Sequence, residues 1–388
     1  MKVLIINQFT RGIGGVDKIV NSQVQSFEKN KIDYKLFSFL NKEFDDMNAF
    51  QKAIFLKNYF AKKLFVNQLE EICDSFKPDI VHFHNLYPFM HSSVLNFFKT
   101  KNIKKVYHLH NFYPFCLNSY FYDNQKICFD CYDKKSFNPG VDKKCYNESY
   151  SQSLFVSKNR ASVFDWIENK FNIDKYIAVS NFVKTKYVEL GFSKNILEVI
   201  YNPVESTEEK IDQSVGDYVL FMGSIIKAKG IFDYVSIAKN LKNIKFIIAG
   251  DGKDLPEVLK LIQNESNIEY VGEVDGESKK RLLTNAKLII APSLCYETFG
   301  LIVIEANCFG KPVLASRRGG LEELVTENKN GFLYEPLEIN SLMERVQNLY
   351  EKLPDNYDKQ YCYKFSRKFS PDIFYNNLMN MYNQILNN

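Results

Sequence analysis

The chain has 388 residues, is 45% hydrophobic and 25% charged, and carries a net charge of +4. That length exceeds one ordinary core and suits two domains, and the composition excludes a disordered chain. The small net charge gives no case for nucleic acid as a partner, and no apolar run reaches the roughly 18 residues of a membrane span.

MKVLIINQF at the N-terminus is too short in its apolar stretch for a signal peptide and reads as a buried strand, which points to a cytoplasmic protein. A Gly-rich turn, RGIGGVDK, and a helical pattern over 18–30 follow, then the strand DYKLFSFL and one long amphipathic helical pattern over 45–75. PDIVHFHNL and KKVYHLHNF are the next strands, with the helix-like SSVLNFFKTK between them. A loop-rich stretch, 114–150, precedes a helix near 157–171, the strand KYIAVS, a helix near 181–190 and LEVIYNPV. Residues 204–217 are polar with little periodicity, the composition of a linker. Beyond them YVLFMGS, IKFIIAGDG, IEYVGEV, KLIIAPSL, KPVLAS and GFLYEP are strands with helical segments between them.

Continuous apolar strands alternating with helices imply parallel sheets covered on both faces. Two such runs make an α/β protein of two Rossmann-like domains, 1–203 (with a Cys-containing insertion at about 114–150) and 204–366. The tail 367–388 is an amphipathic helix that crosses back to the first domain. Ligands of such sheets bind at the carboxyl ends of the strands, so the sheets are expected to face each other across a ligand cleft.

YETFGLIVIEANCFG, 296–310, places two acids, Glu297 and Glu305, in apolar company. Burying a carboxylate costs several kcal/mol, roughly, unless something bonds it. The local grammar is strand, loop, helix, with the helix running from about Gly300 to Gly310. Glu297 then lies in the loop and Glu305 two turns into the helix, with the N–H groups of Phe299, Gly300 and Leu301 at a helix start suited to an anion. A carboxylate accepts hydrogen bonds from vicinal hydroxyls, so one acid suits a ribose and the other a sugar ring, with phosphates between them.

ETFGLIVIEANCFGKPVLAS followed by GGLEELV resembles the donor-site signature of retaining GT-B glycosyltransferases, glycosyltransferase family 4. The resemblance extends over nearly the whole chain. It implies metal-independent hexosyl transfer with retention from a UDP- or GDP-sugar to a glycan or lipid-linked acceptor, in surface-polysaccharide assembly. It also implies that Glu297 contacts the transferred sugar and Glu305 the nucleotide ribose, with Thr298, Phe299, Gly300 and Leu301 at the donor.

On the phosphate side, GSIIKAKG supplies Gly223, Ser224, Lys227 and Lys229. Negative charge grows on the phosphate oxygen as the glycosidic bond breaks, and Lys229 is the natural cation there. The family usually has Arg where this chain has Ser224. That departure favours the alternative reading, a non-catalytic protein that binds a sugar nucleotide or supports a partner enzyme. Gly14 and Gly15 match the family turn that approaches a phosphate or sugar, and Asp17 stands where Glu is usual.

His82 and His84 share a strand face, as do His108 and His110. The resemblance implies that His110 lies beside the reacting sugar. H-x-H pairs on adjacent strands could also gather on a metal ion, but the resemblance accounts for these residues without one, so no catalytic cofactor is expected. Cys116, Cys128, Cys131 and Cys145 are spaced C-x11-C-x2-C-x13-C. That spacing fits a structural zinc site, and equally four reduced thiols. FQKAIFLKNYFAKKLF, 50–65, is basic and aromatic at helical spacing, fit either for peripheral membrane contact or for packing on the sheet. Lys279, Lys280 and Arg281 read as a solvated face.

Overall fold

In a computed structural model, residues 1–9, 14–158, 160–205, 216–336, 339–354 and 357–387 are described. Most of the polar linker and the first half of the Gly-rich turn lie outside the described residues. The chain divides into two compact units. Unit 1 is Met1–Phe121, Cys128–Pro203 and Pro371–Asn388; unit 2 is Tyr122–Ile127 and Val204–Ser370.

Unit 1 opens with β1 (Lys2–Phe9), α1 (Gly15–Lys29), β2 (Asp33–Leu40), α2 (Asn41–Asp46), α3 (Ala49–Phe60) and α4 (Val66–Phe76). β3 (Ile80–Phe83), α5 (His91–Lys99) and β4 (Lys104–Leu109) follow. The loop-rich stretch contains two short helices, α6 (Asp130–Asp133) and α7 (Asn138–Asp142), before α8 (Tyr150–Lys158) and α9 (Val163–Ile167). β5 (Lys175–Ala178), α10 (Asn181–Glu189) and β6 (Leu197–Val199) complete a six-stranded parallel sheet ordered β2-β1-β3-β4-β5-β6. Val3 to Ile6 of β1 are fully buried, as a central strand covered on both faces requires.

Two stretches expected as single helices are each broken. The long pattern over 45–75 is split between separate helices: Asn48 caps α3, and Phe65 before α4 takes a left-handed φ of 69° that no continuous helix allows. The helix near 157–171 is likewise two, with the Ser162 hydroxyl capping α9 by accepting from Asp165 N at 3.0 Å.

Arg160, between α8 and α9, is buried and clamps the insertion. Its guanidinium donates to the carbonyls of Tyr113 (3.0 Å), Cys116 (2.7 Å) and Leu117 (3.1 Å) and lies over the rings of Tyr87, Tyr113 and Phe137. Those carbonyls and π faces offset the desolvation of the charge.

Unit 2 begins with β7 (Tyr218–Met222), α11 (Ile231–Asn240), β8 (Lys245–Ala249), α12 (Leu255–Ile262) and β9 (Ile268–Tyr270). α13 (Gly276–Asn285), β10 (Ala286–Ala291), α14 (Leu301–Asn307), β11 (Val313–Ser316), α15 (Gly320–Leu324) and β12 (Gly331–Tyr334) follow. α16 (Ile339–Glu351) and α17 (Lys359–Ser366) end the unit. Its parallel sheet runs β12-β11-β10-β7-β8-β9, the doubly wound order whose direction reverses between β7 and β10.

The last helix, α18 (Pro371–Asn387), belongs to unit 1. Phe374, Leu378, Met381, Tyr382 and Ile385 join the core formed by Val3, Ile5, Ile80, Val106 and Ile177. Among the described residues no helix is long and apolar enough to cross a membrane.

Candidate functional site

The carboxyl ends of β7 and β10 flank the point where strand order reverses in unit 2, the place where such sheets hold ligands. The loop after β7 delivers Lys229 and the loop after β10 delivers Ser293 and Glu297. Lys229 Nζ donates to both carboxylate oxygens of Glu297, at 2.6 and 2.7 Å, and the Ser293 hydroxyl donates to the same carboxylate. The Glu297 side chain is 15% exposed, so these bonds replace most of the water it gives up. Its backbone is pinned as well: Glu297 O accepts from Gly320 N at 2.7 Å.

Gly230, directly after Lys229, has a φ of 73°, and a Cβ there would run into the Pro292 carbonyl oxygen. Glycine is therefore required for the β7 loop to lie against the β10 loop and bring Lys229 to Glu297.

Glu305 lies on α14, which is shorter than expected: it starts at Leu301 and ends at Asn307, placing Glu305 about one turn in. Gly300 has a φ of 110°, and a Cβ there would strike the side chain of Leu321. Phe299 is 2% exposed and packs on Phe369 at 5.7 Å between ring centroids, so its side chain serves the core. Thr298 and Leu301 are half-buried beside it. Glu305 pairs with Lys279 of α13, whose side chain is 19% exposed. Lys279 is thus part of this constellation and not of a solvated face, because its side chain is largely covered where it meets Glu305.

Gly223 and Ser224 are exposed at the end of β7, and Lys227 is exposed one turn before α11. A second cation comes from an unexpected place, Arg318, in the loop after β11. Its carbonyl faces Glu297 N at 3.4 Å, and its Nε is buried with no hydrogen-bond partner. Its charge, with those of Lys229 and Glu297, acts on the Cys295 thiol, which burial above all pushes up to about 12. The adjacent RR in ASRRGGLEEL was the available sequence signal for it.

In unit 1, Gly14 caps α1 with an ordinary φ of −69°, its N–H donating to Asp17 Oδ2 at 3.3 Å. Asn7 Nδ2 of β1 reaches the other oxygen of Asp17 at 3.5 Å, and Gly15 is exposed. At the ends of β3 and β4 four imidazoles stack, with His108 and His110 centroids 4.1 Å apart and those of His82 and His84 4.3 Å apart. His84 Nδ1 is 3.0 Å from His110 Nε2, and His84 Nε2 is 2.8 Å from Gln23 Oε1. Burial lowers every one of them, His82 and His110 to about 3. All four are therefore neutral at pH 7. Neither ring nitrogen of His108 has a hydrogen-bond partner.

Among the described residues, His82, His84 and His108 form the group of metal-type ligands whose donor atoms lie within 4.8 Å of one another. An imidazole binds an ion in its ring plane. These rings lie 10° to 35° from parallel, which aims their lone pairs side by side and not at one point. Both nitrogens of His84 are also already engaged. Among the described residues the cysteines do not form such a group. Cys116 donates to Asn118 Oδ1 at 3.0 Å, and Cys128 accepts from Lys143 Nζ at 3.5 Å. Burial pushes the Cys131 thiol up to about 11 and that of Cys145 up to about 12, so both stay protonated at neutral pH.

Comparison with known proteins gives this geometry a family. The chain is 32% identical over 205 residues to an uncharacterized glycosyltransferase of Methanocaldococcus jannaschii, across 50% of this chain and 56% of that one. It is 27% identical over 262 residues to a Klebsiella pneumoniae protein in the cps region, across 62% and 72%. The first curated relatives are thus matched over only about half of their own length. Among solved structures, Anabaena HepE in complex with UDP-glucose aligns at a TM-score of 0.67 and 16% identity, over 99% of this chain and 100% of that one. Sucrose-phosphate synthase from Thermosynechococcus elongatus aligns at 0.70 and 14%, over 99% of each. Residues 206–365 match the model for glycosyl transferases group 1, and residues 13–208, half of the chain, match that for Glycosyltransferase Family 4. With two doubly wound units and both family models matched, the chain belongs to glycosyltransferase family 4 and has the GT-B fold.

Proposed function

We propose that the protein is a retaining hexosyltransferase that moves a sugar from a UDP- or GDP-sugar to a glycan or lipid-linked acceptor in surface-polysaccharide assembly. The observation that carries this reading is the Lys229, Ser293 and Glu297 cluster at the β7 and β10 ends, on the residues that match the family signature. HepE crystallised with UDP-glucose and the Klebsiella relative in a cps region support the donor and the setting. Unit 2 binds the donor, unit 1 the acceptor, and His110 serves the transferred sugar.

In this reading the diphosphate draws Lys229 off Glu297, and the freed carboxylate accepts hydrogen bonds from the sugar hydroxyls. Glu305 does the same for the ribose. The bond from the anomeric carbon to the diphosphate oxygen breaks while the acceptor oxygen bonds to that carbon from the same face. The acceptor's proton passes to the departing phosphate oxygen. Lys229 and Arg318 stabilise the charge that grows there, Arg318 standing in for the cation missing at Ser224. No step uses a metal.

A thermal-shift screen over nucleotide sugars identifies the donor, and transfer and donor hydrolysis are then followed with it. Glu297→Ala lowers kcat on the order of a hundredfold or more with the fold retained; full residual activity refutes the assignment. Tight donor binding with no turnover leaves the non-catalytic reading, which Ser224 favours, in its place.

Two further proposals attach to unit 1. α3 exposes Phe50, Ile54 and Phe60 beside Lys52 and Lys57, a surface for peripheral contact with an anionic membrane; vesicle sedimentation with and without anionic lipid tests it. A zinc ion on Cys116, Cys128, Cys131 and Cys145 would require the four sulfurs to close up and ionise. One zinc per purified chain, lost in Cys131→Ser, would establish it.

A further inference from the structure

We infer that Gln23, backed by Tyr382, is a positioning residue that fixes which ring nitrogen of His110 carries the proton. One chain of hydrogen bonds runs through the core of unit 1 from Tyr382 and Gln23 to His84 and His110. Gln23, on α1, is fully buried, and its Oε1 lies 2.8 Å from His84 Nε2. A carbonyl oxygen only accepts, so His84 Nε2 carries the hydrogen. A neutral imidazole has one N–H, which leaves His84 Nδ1 as a lone pair. That lone pair lies 3.0 Å from His110 Nε2, so His110 is protonated on Nε2 and its Nδ1 is the acceptor.

The far end of the amide holds the arrangement in place. Gln23 Nε2 is 3.3 Å from the Tyr382 hydroxyl oxygen and 3.1 Å from His82 Nδ1, and an amide nitrogen only donates. Tyr382 in turn donates to His82 Nδ1 at 2.6 Å. Turning the amide over would place its NH2 group against His84 and reverse every donor down to His110. The orientation of one buried glutamine therefore selects between two forms of the imidazole. Both Gln23 and Tyr382 are fully buried and come from helices remote in sequence from His110.

The consequence for catalysis rests on the reading that His110 serves the transferred sugar. With Nδ1 as acceptor, the ring takes a hydrogen bond from a sugar hydroxyl; with the other tautomer it offers one to that oxygen instead.

The test is long-range proton–nitrogen NMR of the 15N-histidine-labelled full chain, which reads the protonated nitrogen of each ring, with His110→Asn for assignment. The expected result is His110 protonated on Nε2 in the wild type and a mixture of both forms in Gln23→Met, with Tyr382→Phe between them. A wild-type His110 protonated on Nδ1, or a Gln23→Met spectrum unchanged at His110, overturns the inference. Should Gln23→Met fail to fold, the wild-type and Tyr382→Phe spectra decide it alone. Activity separates the two layers. A transfer kcat at least tenfold lower in Gln23→Met, with KM altered less than threefold, supports both the inference and the role of His110. A redistributed tautomer with unchanged kcat leaves Gln23 assigned and removes His110 from the proposed mechanism.

Discussion

Unit 1 is expected to lose stability steeply below pH 6.5, because it holds four of the chain's five histidines as neutral rings, His82, His84 and His108 buried and His110 partly buried. Burial is the leading cause for each: it holds His82 and His110 at about 3, and His84 and His108 well below the ordinary value. In the unfolded chain each ring titrates near 6.5. Between that value and about 3 the unfolded state binds protons that the folded state refuses. Stability is therefore intact above about pH 7 and falls as pH drops through 6.5, by about 1.4 kcal/mol per pH unit for each ring. At pH 5.5 the unfolded rings are about nine-tenths protonated, so four of them together remove about 6 kcal/mol, against a typical domain stability of about 5–15. The chain's single tryptophan, Trp166, is 1% exposed and lies in unit 1, so its fluorescence reports this unit. Urea titrations at pH 7.5, 6.5 and 5.5 should show the unfolding midpoint falling at each step. A stability at pH 5.5 within about 1 kcal/mol of that at pH 7.5 would refute the reasoning, since even one buried neutral histidine should cost more than that. His108→Leu sharpens the test: it should lower the pH slope by about a quarter without destabilising the protein at pH 7.5, because the ring it removes bonds to nothing.

Arg160→Ala strands three carbonyls around an empty space and should destabilise unit 1 by about 3–5 kcal/mol, read by the same fluorescence. Arg318→Ala should weaken donor binding about tenfold, measured by calorimetry with the nucleotide sugar, while Ser224→Arg in that background should restore part of the loss. Lys279→Ala leaves Glu305 without its cation and should cost about 1–3 kcal/mol in the thermal unfolding of unit 2.

The architecture was legible because strands covered on both faces read as continuous apolar runs; KVLIINQF, KLIIAPSL and GFLYEP all appear where their runs stand. The break of the 45–75 pattern was not, since amphipathic spacing continues across it and nothing in the residue type Phe65 announces a left-handed backbone. The placement of Glu297 in the loop and Glu305 on the following helix was legible because they stand on a strand–loop–helix pattern, while their roles toward sugar and ribose belong to the proposal. Their partners were less so. Lys279 belongs to a run of three cations, and helical periodicity alone cannot tell which of them meets an acid 26 residues further on. Gln23 and Tyr382 could not be found, because the expected return of the last helix to the first domain does not by itself say which of its residues meets a buried glutamine of α1.

That the two acids and two lysines are mutually paired bears on how the site works. A carboxylate bonded by Lys229 through both oxygens and by Ser293 is stable without ligand, which resolves the cost of burying Glu297. It also means that the pair is a unit. In the mechanism proposed above, a nucleoside diphosphate offers Lys229 more charge than Glu297 does, and the exchange would free the acid for an arriving sugar. Removing Lys229 should therefore harm the sugar as well as the phosphate, since Glu297 would then be desolvated with no cation in the free protein. Lys229→Ala and Glu297→Ala should each cost nearly as much in kcat/KM as the double variant does, a coupling that independent phosphate and sugar contacts would not produce.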